Sequence, residues 1–480
     1  MSLLNLSAIE LAKRIRNREV TSYDVVYEHI KHITELDRTL NCIAEQRFEK
    51  ALAEAKVADK QLKEGESVGK LHGVPISIKE NFDVEGMYTT GGIPYKREAR
   101  VDDDAQIVHR LKNEGAIIIA KTNTAALLYY HETDNALYGR TSNPWDISRT
   151  CGGSSGGEGA MVAVGGSAVG VGSDFGGSIR IPAHYNGVIG FKSGNAQVSQ
   201  YGSFPFLNHP LQARMVGIGA LAKTVDDARM INEIIAKEVP QEMDVEDFTI
   251  VVPLKSIKYP IDRKTDAVLR RVIYRLDEDF TILDEQPPRY TQSAELWQKI
   301  MCIDGAAEMA EAAFGFKPVN IKQEWIRSKF VKDHEVHKYL IWALVAAEMF
   351  KPSDKELNKI EQSLQKGDEE LATYLEKKII ILPVYHRAAT KHGETYSDIF
   401  SVTKTYKRYM PFLAYANTWG LPSLTIPIDD TREGLPVAVQ VISKVGNEDA
   451  IFKVATILER SFRGYVRCTS LNKAAKLNKS

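Results

Sequence analysis

The chain has 480 residues, of which 44% are hydrophobic and 26% charged, a composition close to the globular average that excludes disordered, collagen-like and membrane-embedded classes. Its 62 basic and 63 acidic side chains leave a net charge of −1, so the sequence lacks the basic field typical of nucleic-acid-binding proteins. We therefore expect an ordered protein without a nucleic-acid partner.

The first 70 residues predict helices. Ser7, followed three residues later by Glu10, forms a capping box that satisfies backbone N–H groups at a helix start. Thr21 is the predicted cap of a second helix with an apolar stripe, and a third, charged helix extends to about Glu64. The 20 N-terminal residues contain no uninterrupted apolar stretch, so no secretion signal is predicted.

A short β-branched run follows from Leu71, in which isoleucines alternate with polar neighbours and Lys79 stands at the strand end. Such a lysine is commonly an exposed edge charge. The alternative is that the strand delivers the ammonium group into a desolvated cleft, where its pKa falls and it can act as a base. Residues 105–114 then predict an amphipathic helix and 115–123 a buried strand, which is the β-α-β rhythm of α/β folds.

The stretch 151–193 contains two glycine turns that carry Ser154 and Ser178. Glycine has no side chain and adopts positive φ freely, so such turns can bring backbone N–H groups close to a ligand. Converging N–H donors beside an exposed hydroxyl are what an oxyanion hole for acyl transfer requires. The two serines would meet at a strand-to-helix junction formed by a helix start at 156–164, a strand at 168–174 and a helix start at 181–184.

Glycine turns also bind phosphates, but the nucleotide-binding motifs are not matched. The segment that begins at Gly187 misplaces the lysine of a Walker A loop. The dinucleotide-binding motif G-x-G-x-x-G is not matched either. Gly170 and Gly172 fit its first two glycines, but the next glycine, Gly176, comes one position too late. A G-x-S-x-G nucleophile elbow is absent, and His334-x-x-His337 lacks the glutamate of a zinc hydrolase motif. We therefore expect no cofactor and no metal.

Residues 238–404 lose the glycine signature and predict charged helices, one of which is capped by Ser353. Two β-rich runs introduced by Gly-Leu-Pro follow at 417–428 and 434–443. Residues 448–459 predict a last amphipathic helix.

The cysteines bear on the cellular location, since disulfide frameworks and zinc sites need characteristic cysteine spacings. They lie far apart, with no Cys-x-x-Cys pair, at Cys42, Cys151, Cys302 and Cys468. We expect no disulfide framework and a cytoplasmic protein. The longest run of small apolar residues, 159–173, is shorter than the roughly 20 residues of a membrane span, so we expect no membrane contact.

Three segments resemble the motifs of the amidase signature family, in the family's order: Gly73-VPISIKEN, Gly152-GSSGG and Gly172-SDFGGSIRIPAHYNGVIGFK. The resemblance extends to the N-terminal helices, to residues 219–228 and to the Gly-Leu-Pro strands. It implies one large α/β domain over residues 1–480, with a mixed β-sheet core covered by helices on both faces. Its parts would be N-terminal helices at 1–70, the catalytic core at 71–237, a variable helix-rich substrate region at 238–404 and a C-terminal return to the core at 405–480.

Members of this family use a Ser-Ser-Lys triad, and the resemblance assigns each role to one residue. Ser178 would be the nucleophile, Ser154 the bridging serine that follows a cis peptide bond, and Lys79 the base. The oxyanion would be held by the backbone N–H groups of Phe175, Gly176, Gly177 and Ser178. Three further side chains match family positions and would orient the triad: those of Ser155, Asp174 and Arg180.

The implied activity is hydrolysis of a small or apolar carboxylic amide, other than a peptide bond, to an acid plus ammonia or an amine. The reaction would pass through an acyl-enzyme on Ser178. Two alternatives stay open: the glutamine-hydrolysing A subunit of a tRNA-dependent amidotransferase, and a catalytically silent member that acts as a binding or structural protein. The expected partner is a small-molecule amide, and a homo-oligomer is left open.

Some positions depart from the family pattern. Cys151 stands where a proline commonly precedes the first glycine turn. The amidotransferase branch carries a glutamine-binding aspartate seven residues before the asparagine that matches Asn417, and this chain has Met410 there. An apolar pocket is indicated by the neighbouring side chains of Phe412, Leu413, Tyr415 and Trp419. We therefore expect a stand-alone amidase for an uncharged amide.

Overall fold

The computed structural model describes residues 2–98, 100–254, 261–315, 319–331, 334–400 and 406–471. A mixed sheet of 11 strands runs through them. In chain order the strands are β1 (Ile43–Gln46), β2 (Pro75–Lys79), β3 (Ile117–Thr122), β4 (Val169–Asp174), β5 (Ile189–Lys192), β6 (Gly217–Ala222), β7 (Thr249–Val251), β8 (Thr281–Leu283), β9 (Lys378–Pro383), β10 (Ser423–Asp430) and β11 (Pro436–Ile442).

The strands lie side by side in the order β1-β3-β2-β4-β6-β5-β10-β11-β9-β7-β8. β2 is parallel to both β3 and β4, and β7 is parallel to both β8 and β9. The other neighbours are antiparallel. The C-terminal strands β10 and β11 therefore lie inside the sheet, between β5 and β9, and the predicted mixed α/β fold is confirmed.

The α-helices of the described residues surround this sheet. They are α1 (Ala8–Arg16), α2 (Ser22–Leu40), α3 (Phe48–Glu64), α4 (Gln106–Asn113), α5 (Gly156–Ala163), α6 (Arg180–Asn186), α7 (Pro210–Ala213), α8 (Val225–Ile235), α9 (Arg263–Leu276), α10 (Ser293–Met301), α11 (Ala307–Phe314), α12 (Ile321–Arg327), α13 (Lys338–Met349), α14 (Asp354–Tyr374), α15 (Glu394–Phe400), α16 (Tyr406–Thr418) and α17 (Glu448–Ser461).

Each face of the sheet has its own apolar core, because successive strand residues point to opposite faces. On β2, Ile76 and Ile78 join a core formed with α1, α4, α8, α9 and α17. On β3, Ile117 and Ile119 join a second core with α2, α3 and α5, and on β9 alternate residues join a third core with α10, α14 and α16. Helices thus cover both faces, as predicted, and Lys79 projects away from the Ile76 side.

Three predicted helix starts are present. The hydroxyls of Ser7 and Thr21 accept hydrogen bonds from backbone N–H groups three residues on, and so cap α1 and α2. Ser353 and Glu356 form a reciprocal capping box at the start of α14. Local sequence therefore fixes where these helices begin.

Two secondary-structure expectations are wrong. The segment 238–404 contains the strands β7, β8 and β9 as well as helices, and these strands extend the sheet beyond β11. They have only 3, 3 and 6 residues, too few for an alternating pattern to stand out between long helical repeats. The predicted strand run at 417–428 begins too early, because Asn417 and Thr418 close α16 and β10 starts at Ser423.

The four cysteines are free thiols and all are buried. Over the described ranges, no helix is both long enough and apolar enough to cross a membrane.

Candidate active site

The candidate site lies where β2 and β4 end side by side. These strands are parallel neighbours, so their carboxyl ends meet at the same edge of the sheet. β2 ends at Lys79 and β4 at Asp174, from which a short loop leads through Ser178 into α6. α5 begins at Gly156, directly after Ser154 and Ser155. The fold therefore brings the three predicted site segments together.

The amine of Lys79 contacts Ser154. Its Nζ lies 2.7 Å from Ser154 Oγ, 3.0 Å from Ser173 Oγ and 3.3 Å from the Ser173 carbonyl oxygen. The Lys79 and Ser154 side chains are wholly buried. The interpretation of Lys79 as an exposed edge charge is therefore wrong, since its amine is desolvated at the end of β2.

Burial lowers the pKa of Lys79 from 10.5 to about 7, because the ammonium form loses its hydration. Three carboxyl groups oppose this shift by favouring the charged form: those of Asp174, Glu158 and Glu80. The amine is therefore poised to exchange a proton near neutral pH.

The two serine turns are tied to each other. The Gly153–Ser154 peptide bond is cis, as the family resemblance implied. The backbone N–H of Ser155 donates to the Ser178 carbonyl oxygen at 3.1 Å. The Ser155 hydroxyl donates to the Ser173 carbonyl oxygen at 3.2 Å. Ser178 itself is nearly buried, with 4% of its surface exposed.

Two threonines that sequence reasoning missed hold the first turn. Thr124 Oγ1 donates to the Ser154 carbonyl oxygen at 2.9 Å. Thr133 Oγ1 donates to the Gly152 carbonyl oxygen and accepts from the Gly156 N–H, both at 2.9 Å. Threonines in loops carry no motif, so the sequence gives no signal for these contacts.

Asp174 organises the second turn. Its carboxylate accepts hydrogen bonds from the backbone N–H groups of Gly177 at 2.8 Å and Ile179 at 3.0 Å. It also accepts from Arg180 Nε at 3.0 Å and from Asn417 Nδ2 at 2.9 Å. Burial alone would raise the pKa of Asp174, but Arg180 and these donors hold it well below its usual range.

Arg180 is as fully buried as Asp174 and links the turn to the C-terminal region. Its guanidinium donates to the Leu413 carbonyl oxygen at 3.0 Å, to Gln440 Oε1 at 2.9 Å and to the side-chain oxygen of Asn417. Four elements therefore meet at one ion pair: β4, α6, α16 and β11.

The loop 175–178 presents its backbone toward the same region. Gly177 has φ 113°, a left-handed value that favours glycine. The Gly177 N–H is already used by Asp174, as described above. The Phe175 carbonyl oxygen accepts from Trp297 Nε1 at 2.8 Å, and the Gly176 carbonyl oxygen bonds His131 Nε2 at 2.7 Å. Neither His131 nor Trp297 lies in one of the segments that resemble the family motifs.

A cavity of about 940 Å³, its open mouth included, reaches the end of β4. Its wall includes Ser173, Asp174 and Phe175, which lead directly into the Ser178 turn. Most of the remaining lining is apolar, with Phe82, Leu127, Leu128, Val216, Met301 and Ile303 among its residues. Asn81 also lines it, and its side-chain oxygen is buried with no hydrogen-bond partner among the described residues.

The apolar pocket is not where the sequence placed it. Phe412 and Tyr415 pack in the core with α10 and α14, and Leu413 packs beside Ile181. The cavity at the end of β4 is instead lined from the loop before α5, the segment 200–216 and residues 301–309. Apolar character alone could not separate core from cavity wall in α16.

Comparisons with known proteins agree with this geometry. The sequence model of the family described as Amidase matches residues 24–452. Fatty-acid amide hydrolase 2-B of Danio rerio is 33% identical over 97% of this chain and 91% of its own length. Indoleacetamide hydrolase of Bradyrhizobium diazoefficiens is 29% identical over 94% of this chain and 86% of its own length. The solved structure of 6-aminohexanoate cyclic dimer hydrolase complexed with substrate has a TM-score of 0.82 at 22% identity, over 98% of this chain and 99% of that one, and so shares the fold.

Removal of Arg180 tests the ion pair. Arg180→Met would leave the Asp174 carboxylate buried without its cation, and we expect a loss of about 3 to 5 kcal/mol in the free energy of unfolding. Urea denaturation followed by fluorescence measures it. Arg270→Met is the matched control, since Arg270 pairs with Asp266 at the surface and its loss should leave the midpoint unchanged. Equal midpoints for the two variants would contradict the role given to Arg180.

Proposed function

Since this chain belongs to the amidase family and is an amide hydrolase, we propose that Ser178 is its nucleophile, activated through Ser154 by Lys79. One contact carries the proposal: the buried Lys79 amine lies 2.7 Å from the Ser154 hydroxyl oxygen. The next residue along, Ser155, hydrogen-bonds the Ser178 carbonyl and keeps the two turns together.

The three contacts of Lys79 suit a neutral amine. A neutral amine has two hydrogens, which can go to the two oxygens of Ser173, and one lone pair, which can accept the proton of Ser154. An ammonium group would instead donate to all three oxygens and accept nothing. The lowered pKa of Lys79 keeps a large share of the neutral form available at pH 7.

Acylation then proceeds by proton relay. Ser154 gives its proton to Lys79 as it takes the proton of Ser178, and Ser178 Oγ bonds to the amide carbon while the carbonyl electron pair moves onto oxygen. When that pair returns, the carbon–nitrogen bond breaks. The leaving nitrogen takes a proton from Ser154, which recovers one from Lys79.

Water repeats the sequence on the acyl-enzyme. It loses a proton through Ser154 to Lys79, bonds to the acyl carbon, and displaces Ser178 Oγ, which takes the proton back. The sum is one amide plus one water giving one acid plus one amine or ammonia. We assign Asp174, Arg180 and Ser155 to positioning, because their contacts fix the two turns and not the reacting atoms.

The backbone N–H groups of the loop 175–178 are the proposed oxyanion donors. That of Gly177 donates to Asp174, so the contribution to the oxyanion falls mainly on Phe175, Gly176 and Ser178. Donors fixed before the reaction stabilise the developing charge without reorganisation, and loss of one typically costs about 100- to 1000-fold in kcat.

The substrate we propose is an amide with an apolar acyl chain. The cavity at the end of β4 is largely apolar, and its wall includes Phe175, three residues before Ser178. A relative that is 33% identical is named for fatty-acid amides, which supports an extended chain.

The two alternatives have less support. For the amidotransferase subunit, the position of the glutamine-binding aspartate holds Met410, which is buried in an apolar cluster with Leu413 and Tyr385. For a catalytically silent member, an intact Lys79–Ser154 contact at full burial has no evident use. A cytoplasmic location, a homo-oligomer and the division into one domain with four segments stay predictions.

The triad is tested by substitution and labelling. Ser178→Ala and Lys79→Ala should each lower kcat on the order of 10⁴-fold or more, because each removes a member of a unit that acts together. A fluorophosphonate should label Ser178, as mass spectrometry of the digested protein would reveal. Ser148→Ala, at a surface turn, is the control and should label like the parent protein. Label on any other serine would contradict the assignment.

The pH dependence follows from Lys79. Because the neutral amine is the base, kcat/KM should be flat above pH 8 and fall about tenfold per pH unit below the Lys79 pKa of about 7. Rates measured from pH 5.5 to 9 on an uncharged amide give the profile. The rate of fluorophosphonate labelling should fall below pH 7 in the same way as kcat/KM, since it needs the same base. A flat profile down to pH 5.5 would exclude Lys79 as the base.

The acyl cavity is tested with a series of primary amides from acetamide to an eighteen-carbon chain. We expect kcat/KM to rise about fourfold for each methylene buried, until the cavity is filled. Val216→Phe should shorten the best chain, because the larger side chain narrows the apolar wall of the cavity. A preference for glutamine over every apolar amide would instead support the amidotransferase alternative.

A further inference from the structure

The carbonyl groups of the loop 175–178, the proposed oxyanion loop, each accept a hydrogen bond from a donor outside the loop. The Phe175 oxygen accepts from Trp297 Nε1 at 2.8 Å, and the Gly176 oxygen from His131 Nε2 at 2.7 Å. The Gly177 oxygen accepts from the backbone N–H of Ile181, in the first turn of α6, at 2.8 Å. The three consecutive peptide units that contain these carbonyl groups are therefore each held by a hydrogen bond from outside the loop.

Fixing a carbonyl also fixes the N–H of the same peptide unit. In a trans peptide the C=O of one residue and the N–H of the next point in opposite directions. The bond from Trp297 thus aims the Gly176 N–H, and the bond from His131 aims the Gly177 N–H, which meets Asp174 at 2.8 Å. Without Trp297 the unit between Phe175 and Gly176 would lose the bond that holds its carbonyl, and without His131 the unit between Gly176 and Gly177 would keep only its bond to Asp174. Glycine adds little resistance of its own to rotation of these units.

We propose that His131 and Trp297 are positioning residues that hold the peptide units of the loop 175–178 in the orientation that binds the oxyanion. This inference rests on the proposed role of that loop in amide hydrolysis. Neither side chain need touch the reacting atoms. They act on the stabilisation of the negative charge of the transition state, which the loop N–H groups provide. They do not act on the binding of the acyl chain.

The chemistry of His131 suits a fixed donor. A carbonyl oxygen can only accept, so Nε2 carries the hydrogen, and Nδ1 is buried without a hydrogen-bond partner in the described residues. Burial lowers the pKa of His131 from 6.5 to about 4, so the ring stays neutral over the working pH range. A neutral imidazole donates one hydrogen and adds no charge beside Asp174.

Trp297 contributes both a hydrogen-bond donor and a ring that packs against Gly176. Indole nitrogen only donates, and the ring lies so close to Gly176 that a Cβ there would stand 2.6 Å from a ring carbon. α10, which carries Trp297, is fastened to α16 by Thr418 Oγ1 and Trp419 Nε1, which bond the oxygens of Ser293 at 3.0 Å each. The helix-rich segment 238–404 therefore supplies a rigid support for the loop 175–178.

Paired substitutions test this inference. Trp297→Phe keeps a ring against Gly176 and removes only the N–H, and His131→Phe removes only the donor of the other carbonyl. We expect each to lower kcat by about 10- to 100-fold, below the cost of losing an oxyanion donor outright, with KM changed less than about twofold. His131→Gln places an amide N–H near the Nε2 position and should recover most of the kcat lost in His131→Phe.

A second readout separates positioning from general damage. The affinity of a trifluoromethyl ketone, which forms an oxyanion on Ser178, should fall in step with kcat, and that of the acid product should not. Two controls lose equivalent bonds elsewhere: Trp145→Phe removes a 2.8 Å indole contact to the Asn186 oxygen, and His72→Phe a 3.0 Å contact to the Ala58 oxygen. Both should keep the parent kcat.

The outcomes are distinct. Parent-like kcat in Trp297→Phe and His131→Phe, or an equal loss in the two controls, would overturn the inference. A loss in KM alone, or no recovery in His131→Gln, would overturn it as well. If the ketone and the fluorophosphonate do not react at Ser178 in the parent protein, the proposed function itself fails. If Trp297→Phe does not fold, the comparison of His131→Phe with His131→Gln decides.

Discussion

The negative charge of Asp174 is the constraint on which the site depends. A carboxylate with no exposed surface costs several kcal/mol unless every oxygen is paired, so the chain must surround it with donors. The guanidinium of Arg180 supplies two, the backbone N–H groups of Gly177 and Ile179 supply one each, and Asn417 supplies another. α6 therefore begins where Arg180 can turn back on β4, and the loop between them must fold tightly. Gln440 completes the set by accepting from Arg180, which joins β11 to the same ion pair.

The pKa of Lys79 is set by two opposing effects within this arrangement. Burial disfavours the ammonium form, and nearby carboxyl groups favour it. The effect of burial on the pKa is the larger of the two, and the contacts of the carboxyl groups explain why. Glu158 holds hydrogen bonds from Ser77 at 2.5 Å and Thr122 at 2.8 Å, and its own burial raises its pKa to about 8, so it is largely uncharged at pH 7. The charge of Asp174 is directed at Arg180. Neither group therefore holds a proton on the lysine strongly, and the pKa of Lys79 stays at about 7.

Sequence reasoning predicted the parts of the site that lie in glycine-rich motifs and missed those that lie outside them. Lys79, Ser154 and Ser178 are carried by short segments whose order is diagnostic, and strand ends that pair in parallel bring them together. Helix caps such as Ser7 were predictable because their physics is local. Trp297 and Thr133 were not, since they act through hydrogen bonds to backbone atoms 122 and 19 positions away and lie in no recognisable motif. The strands β7 to β9 were missed for a related reason: their identity comes from the sheet they join, and not from their own few residues.

The partners of Arg180 have a consequence for when the site can be assembled. Gln440 lies 260 positions after Arg180, and Asn417 lies 237 after it. At the usual 5 to 20 residues per second, roughly 15 to 50 seconds separate the synthesis of Arg180 from that of Gln440. During that interval the nascent chain contains Lys79, Ser154 and Ser178 but lacks a residue that bonds Arg180. The hydrogen bonds that join β4, α6, α16 and β11 can therefore form only after nearly the whole chain has been synthesised.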